Sequence, residues 1–196
     1  MTLTKKDIRK TYIEQRKSLT DDEWAMLNME LLVQCSNFDW SNIEFLHIFL
    51  PILAKKEVDT FLVAIWIREH YPHIKLVTSQ SNFETNEMRH ILWHDECPLE
   101  ENAYGIPEPT AGEEVNPLSL DMVLVPMVAF DLQGHRVGYG KGMYDKFLAQ
   151  CKPGAKKVGL ALFPPVSNHI SDIHDGDMAL DAVITPAEIY YFKPTT

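Results

Sequence analysis

The run Asp121-Met122-Val123-Leu124-Val125-Pro126-Met127-Val128-Ala129-Phe130 carries no polar side chain after its aspartate. A run that is apolar without alternation suits a strand buried on both faces, the place of a central strand in a parallel sheet. Pro126 has no N–H to give to a neighbouring strand, so it marks an interruption or the end of that strand. Working outward, Ile43 to Leu50 predicts a strand stopped by Pro51, and Ile74 to Thr78, Lys156 to Phe163 and Asp181 to Thr185 predict three more. Val58, Phe61, Leu62 and Ile65 follow the i, i+3, i+4, i+7 spacing of a helix lying on an apolar surface. Thr4 to Lys17 has helical spacing too, with Leu3, Ile8 and Tyr12 on one side and Lys5, Lys6, Arg9, Lys10, Arg16 and Lys17 around the rest. Thr20 with Glu23 has the form of a capping box opening a helix through Leu27, Leu31 and Leu32. A further helix is expected from about Met143 to Ala149. Strands alternating with helices predict an α/β fold: a single compact domain over residues 1–196 with a mostly parallel or mixed central sheet, right-handed crossovers and flanking helices. No internal repeat and no disordered tail is expected.

The segment from Ser79 to Pro117 has little periodicity and holds Pro98, Pro107, Pro109, Gly105 and Gly112. It predicts a long irregular stretch, of the kind that frames a binding surface rather than filling a core.

Composition narrows the classes of partner. The chain has 196 residues, 45% of them hydrophobic, enough to form a core without disulfides or a structural metal. Its 28 acidic residues against 18 basic ones give a formal net charge of -10, which argues against nucleic acid and anionic lipid as partners. An anionic ligand would have to be held locally, by a few cations and backbone amides. Cys35, Cys97 and Cys151 make no CxxC pair and no zinc pattern, so free thiols in a reducing, cytoplasmic compartment are expected. The start, Met1-Thr2-Leu3-Thr4-Lys5-Lys6-Asp7, enters a charged amphipathic segment unlike a signal peptide, and no apolar run reaches the length of a bilayer span. A monomer or a weak homodimer is expected.

The chemistry-bearing stretch is Arg136-Val137-Gly138-Tyr139-Gly140-Lys141-Gly142-Met143-Tyr144-Asp145. Alternate glycines let the backbone take angles closed to other residues and let a ligand approach the chain. Amides of such a turn and of the following helix form an anion site, to which Lys141 and Arg136 can add positive charge. Asp145 can hold Mg²⁺ beside phosphates, because this hard ion prefers carboxylate, water and phosphate oxygens. The loop lacks the Ser or Thr after Lys that a Walker A loop needs, and it does not match the dinucleotide fingerprint. Read alone, the same residues also fit a hairpin feeding a helix, with Asp145 as an ordinary first-turn acid.

Three motifs in order carry a resemblance: Tyr104-Gly105-Ile106-Pro107-Glu108-Pro109, the run Val123 to Asp131, and the loop Gly138 to Asp145. Together they resemble the 5-formyltetrahydrofolate cyclo-ligase (methenyltetrahydrofolate synthetase) family, and the likeness extends from Lys5 to Thr185. The resemblance implies an α/β sheet covered by helices and an activity that uses Mg-ATP to cyclise 5-formyltetrahydrofolate, or its polyglutamates, to 5,10-methenyltetrahydrofolate in one-carbon metabolism. It implies that Lys5 and Arg9 reach the ATP phosphates, and that Arg136, Val137, Gly138, Tyr139, Gly140, Lys141, Gly142, Met143 and Tyr144 wrap the nucleotide. Tyr139, Lys141, Met143 and Tyr144 would also touch folate, and Lys141 and Arg136 would serve the chemistry. Asp145 and Asp177 are implied as Mg²⁺ ligands, Glu57 as the carboxylate near the pterin, and Ile52 as its apolar neighbour. Trp93 and Tyr104 are candidate apolar walls for the folate, with a core role for Trp93 as the other reading.

The sequence departs from the family pattern at Met143, where an aromatic is usual, and at Met127, where Gly is frequent. The reaction implied runs through phosphorylation of the formyl oxygen to an iminium phosphate, ring closure by N10 and loss of phosphate, leaving ADP. Such phosphoryl transfer needs alignment and charge neutralisation more than a covalent nucleophile. Another Mg-ATP-dependent small-molecule kinase or ligase, and a non-catalytic nucleotide-binding module, remain as competing readings. The eight histidines make no HExxH pattern; His90 and His94 are spaced to share a helical face.

Overall fold

The strand Met122–Pro126 lies at the centre of a seven-stranded sheet. The computed structural model describes residues 3–167 and 169–192. The expectation of an ordered C-terminus falls on 193–196, and part of the reading of the N-terminus falls on Met1 and Thr2, all outside the described residues.

In chain order the main-sheet strands are β1 (Phe45–His47), β2 (Lys75–Asn82) and β3 (Glu87–Leu92), then β6 (Met122–Pro126), β9 (Lys156–Leu160), β10 (Ala182–Ile184) and β11 (Ile189–Tyr191). Two small ribbons hold β4 (Leu99–Glu101) with β5 (Pro107–Pro109), and β7 (Ala129–Phe130) with β8 (Arg136–Val137). The order across the main sheet is β11-β10-β9-β6-β1-β2-β3. The five strands from β10 to β2 run parallel, while β3 and β11 pair antiparallel at the two edges.

The central strand explains why this sheet forms. Met122 and Leu124 enter one core with Leu46, Leu76 and Val158, whereas Val123 and Val125 enter another with Val77, Phe130 and Val183. Both faces are covered, and each fully buried aliphatic side chain contributes about 1.5–3 kcal/mol by leaving water. β6 ends at Pro126 and the chain turns into the β7–β8 hairpin.

The helices are α1 (Lys5–Ser18), α2 (Asp21–Asn37), α3 (Thr60–His70) and α4 (Met143–Leu148). Thr4 caps α1, and Thr20 with Glu23 makes the full capping box on α2. In α3 the buried residues are Thr60, Val63, Ala64 and Ile67. The expected apolar stripe was turned: Ile65 is 61% exposed, and Val58 precedes the helix, which Asp59 caps. The strand expected over Ile43 to Leu50 is regular only at Phe45–His47, and the one expected from Lys156 stops at Leu160.

The segment from Ser79 to Pro117 is the largest correction. It contains the end of β2, all of β3, and the β4–β5 ribbon. Polar residues occupy much of β2 and β3, because these strands form an edge hairpin with a partly solvated face and so lack the apolar run of a central strand.

Candidate active site

At the C-terminal ends of β1, β2 and β6 the chain encloses a cavity of ≈ 430 Å³. The sheet grows from β1 toward β2 on one side and from β6 toward β9 on the other, so the cavity sits where the strand order reverses. Open α/β sheets bind ligands at this kind of crevice. Five cations (Lys5, Arg9, Lys55, Arg136, Lys141) and three carboxylates (Glu57, Asp145, Asp177) line it, in a chain that is acidic overall.

One end is built by α1, the glycine loop and the segment before β10. Arg9 Nε donates to the carbonyl oxygen of Gly138 at 2.6 Å, and its guanidinium lies against Gly140. Gly140 has φ +85 and Gly142, the N-cap of α4, has φ +67, so at both positions a side chain would be strained. Among the described residues no backbone N–H from Gly138 to Gly142 is taken by a backbone acceptor, so these amides of cavity-lining residues are free to donate to a ligand. Lys141 is exposed and makes no ion pair among the described residues. As the hairpin reading of the loop expects, β7 and β8 feed α4, and the turn between β8 and α4 carries free amides of the kind that an anion site requires.

Lys5 reaches Asp177 in an ion pair, and its backbone N–H donates to Asp172 at 2.7 Å. Burial raises the Asp177 carboxyl, but the Lys5 ammonium and the His174 N–H outweigh that effect and hold it below the usual carboxylate value. Arg136 is buried and directs Nη2 to Asp145 Oδ1 at 2.5 Å and Nη1 to the carbonyl of Met178. Its guanidinium thus fixes Asp145 and the Met178 segment rather than standing free as a cation. Met178 N–H also donates to Asp145 Oδ1, at 3.1 Å.

Asp145 and Asp177 each keep one carboxylate oxygen without a hydrogen bond to any described residue. No group of three or more His, Cys, Asp or Glu among the described residues is arranged to hold a metal ion. This donor set fits Mg²⁺ held by one or two carboxylates with phosphate and water completing its shell, and does not fit an all-protein cage.

The other end is built around Glu57, which is 6% exposed. Its Oε2 accepts from Ile52 N–H at 2.9 Å and its Oε1 from the Tyr139 hydroxyl at 2.5 Å. Trp24 Nε1 donates to the Glu57 carbonyl at 2.9 Å, tying this residue to α2. Glu57 precedes Asp59, the cap of α3, and so is not a first-turn acid. Arg16 Nη1 donates to the Tyr139 hydroxyl at 2.9 Å and its Nη2 lies 3.9 Å from Glu57. Tyr139 as a whole is 41% exposed, but its hydroxyl is enclosed by Arg16 and Glu57, and that desolvation, then the Glu57 charge, pushes it above the ordinary tyrosine value; burial also raises Tyr144. Apolar and aromatic side chains complete this end, among them Ile52, Phe83, Met88 and Tyr104, with the Phe83 and Tyr104 ring centroids 4.1 Å apart.

Of the residues singled out in the sequence, two do not line the cavity. Val137 points into a core with Ile8, Val166 and Ile170, because β8 turns alternate side chains inward. Trp93 is 7% exposed in the main core, under the Arg68 guanidinium and edge-on to Phe61. The helical pairing of His90 and His94 also fails, since His90 lies on β3. Met143 is buried and does line the cavity at the start of α4. Arg16, grouped in the sequence with the basic residues around the rest of α1, is buried against Tyr139 and Glu57. The signal was present: Lys5, Arg9, Tyr12 and Arg16 fall on one stripe of α1 at 100° per residue.

Known proteins resemble this chain in sequence and fold. The sequence matches the model of the 5-formyltetrahydrofolate cyclo-ligase family over residues 1–186. The 5-formyltetrahydrofolate cyclo-ligase of Escherichia coli K12 is 32% identical over 111 residues, which cover 55% of this chain and 60% of that protein. The Haemophilus influenzae cyclo-ligase is 44% identical over 68 residues, covering 34% of this chain and 36% of that protein. The chain thus aligns with less than two thirds of the length of these relatives. The NMR structure of Aquifex aeolicus 5,10-methenyltetrahydrofolate synthetase superposes with a TM-score of 0.82 at 28% identity, covering 99% of this chain and 95% of that one. A match across nearly the whole sequence, joined to the same fold, places this chain in the 5-formyltetrahydrofolate cyclo-ligase family.

Proposed function

We propose that this chain uses ATP to cyclise 5-formyltetrahydrofolate to 5,10-methenyltetrahydrofolate, releasing ADP and phosphate. The observation that carries this reading is the two-ended cavity. A cationic, amide-rich end suited to a triphosphate is continuous with an apolar, aromatic end that contains a buried carboxylate.

The formyl oxygen of an N-formyl group is a poor leaving group and N10 is a weak nucleophile. Transfer of the γ-phosphoryl group to the formyl oxygen makes an iminium phosphate. N10 then attacks its carbon, the C–O bond breaks with phosphate as leaving group, and the N10 proton leaves with the phosphate. Lys5, Arg9, Lys141 and the free loop amides suit the charge of the triphosphate, and Arg136 holds Asp145 in place. Asp145 and Asp177 would hold Mg²⁺, which neutralises phosphate charge when bound. Glu57 would accept from an N–H edge of the pterin and orient the formyl group, with Ile52, Tyr104, Tyr139, Met143 and Tyr144 around the ring system. The three cysteines are free thiols, which supports a reducing, cytoplasmic setting. No helix among the described residues is long and apolar enough to cross a membrane. The chain would act as one domain, as a monomer or weak homodimer, on the folate or its polyglutamates.

The test is a turnover assay. 5-Formyltetrahydrofolate should give a product with methenyl absorbance only when Mg²⁺ and ATP are both supplied. Nucleotide binding without folate turnover would leave a non-catalytic binding module, and phosphorylation of another small acid would leave a different kinase or ligase.

A further inference from the structure

His47 on β1 and His90 on β3 are 0% and 3% exposed and flank Ser79 on β2, beneath the apolar end of the cavity. His47 Nε2 lies 2.7 Å from Ser79 Oγ, and Ser79 Oγ lies 3.3 Å from His90 Nδ1, the residue directly opposite it in register. Both rings pack on Phe147 of α4, at centroid distances of 4.7 and 4.0 Å. Ser79 itself lines the cavity. Nothing in the reaction described above uses these three residues.

Burial, reinforced by His90, holds His47 well below the ordinary histidine pKa, and burial lowers His90 to about 4 against the opposing pull of Glu114. Each imidazole is therefore neutral near pH 7 and carries a single N–H. His47 Nδ1 is buried and has no hydrogen-bond partner among the described residues. A proton on Nδ1 would leave a buried N–H without an acceptor, the rarer and costlier defect; a proton on Nε2 leaves only a lone pair unmatched. The second tautomer makes Nε2–H a donor to Ser79 Oγ. The serine oxygen then accepts from His47, and its own proton must point elsewhere. One acceptor is His90 Nδ1, which at 3.3 Å makes a long, weak hydrogen bond that a better-placed acceptor can replace. The other direction is the cavity.

We propose that Ser79 is a substrate-binding residue whose hydroxyl donates to a carbonyl-type oxygen of the formylated pterin, with His47 Nε2–H turning that proton into the cavity. The proposal rests on the folate reading of the cavity. His47 is a positioning residue in it, and His90 is the resting acceptor of the serine proton when no ligand is bound.

Two experiments on the full chain test this. Calorimetry with 5-formyltetrahydrofolate and with a non-hydrolysable ATP analogue plus Mg²⁺ compares wild type with Ser79→Ala. The folate Kd should rise about tenfold while the analogue Kd stays within about twofold, as expected for one lost hydrogen bond on one ligand. A folate Kd within about twofold of wild type, or an equal loss for both ligands as a merely structural role would give, overturns the proposal. ¹⁵N NMR of the wild-type imidazoles supplies a readout that needs no variant. His47 should be protonated on Nε2 and bare on Nδ1, and the His90 Nδ1 resonance should move on adding folate but not on adding the nucleotide analogue. A proton on His47 Nδ1, or a His90 signal indifferent to folate, overturns it. If wild type binds no 5-formyltetrahydrofolate at all, the folate reading has failed, an outcome distinct from a wild type that binds folate and a Ser79→Ala variant that binds it equally well.

Discussion

The Tyr139 hydroxyl donates to Glu57 Oε1 at 2.5 Å, so the glycine loop is tied to the carboxylate at the opposite end of the cavity. Arg16 donates to the same hydroxyl from α1, and Ile52 N–H occupies the other Glu57 oxygen. Loop, helix and strand-end turn therefore meet on one carboxylate. Any ligand group that binds Glu57 must share it with Tyr139 or displace it.

Glu57→Gln keeps the volume and can still meet the Ile52 N–H with its oxygen and the Tyr139 hydroxyl oxygen with its NH₂ group, but it removes the negative charge and one of the two acceptor oxygens a pterin N–H could use. Hydrogen bonds to a charged group are worth about 1.5–3 kcal/mol, so 5-formyltetrahydrofolate affinity should fall roughly 10- to 100-fold. Affinity for a nucleotide analogue, held at the other end, should change by less than about twofold. Calorimetry with each ligand separately reads both effects; unaltered folate binding would remove Glu57 from the site.

Asp145→Asn retains an oxygen for Arg136 Nη2 and Met178 N–H, so the local hydrogen bonds can survive. What it removes is the negative charge and the open oxygen itself, which an NH₂ group replaces. Turnover with Mg-ATP should drop by about 10²–10³-fold, the cost of losing one preorganised electrostatic partner, while thermal stability moves only slightly. Steady-state methenyl formation beside a melting curve separates the two. Activity close to wild type would end the case for a metal role.

These two carboxylates also show what could be read from sequence. The place of Asp145 on the cavity was legible because it follows an unusual glycine spacing, and the central strand because Met122 to Val125 is apolar on both faces. Arg16 was not, since a basic residue on a basic amphipathic helix is normally solvated, and only the position of Glu57 across the cavity shows which face of α1 turns inward. The β2–β3 hairpin was missed for a related reason. An edge hairpin with one partly wet face carries mixed polar residues, and its turn lacks an Asn-Gly or Asp-Gly pair to announce it. Trp93 went the other way: a large aromatic beside a presumed binding segment was drawn into the core by packing with Phe61 and Arg68.

The buried histidines give stability a pH dependence. His47 and His90 are kept neutral in the fold, with His90 lowered to about 4, whereas in the unfolded chain each titrates near its ordinary value of about 6.5. Below that value the unfolded chain binds the extra protons, so the unfolding free energy falls as pH drops. The slope should approach about 1.4 kcal/mol per pH unit for each histidine, easing for His90 only near its folded-state value. Above pH 7 this stabilisation is complete. Urea midpoints at pH 7.0 and 5.5 should differ accordingly, and His90→Phe should flatten the difference by about one proton. An equal pH slope in the variant would contradict the depressed His90 value.

The structure shows what the Met127 side chain does. It is buried, and its methyl end lies over Gly159 in the neighbouring strand β9: a Cβ built on Gly159 would sit 2.3 Å from Met127 Cε and 2.9 Å from Leu180 Cδ1. What constrains Gly159 is therefore contact and not backbone angle: a methyl there must push aside the flexible end of Met127 and press on Leu180 and Val183. Gly159→Ala should destabilise the protein by roughly 1–3 kcal/mol, the usual cost of overpacking a well-filled core. Met127→Ala opens the space that the new methyl needs, at the cost of a cavity of its own. In a double-mutant cycle the two changes should couple favourably by about 1 kcal/mol or more, because contacting residues do not add. Additive losses in urea unfolding would mean that Leu180 and Val183, which also border Gly159, decide the clash and that Met127 merely fills space beside it.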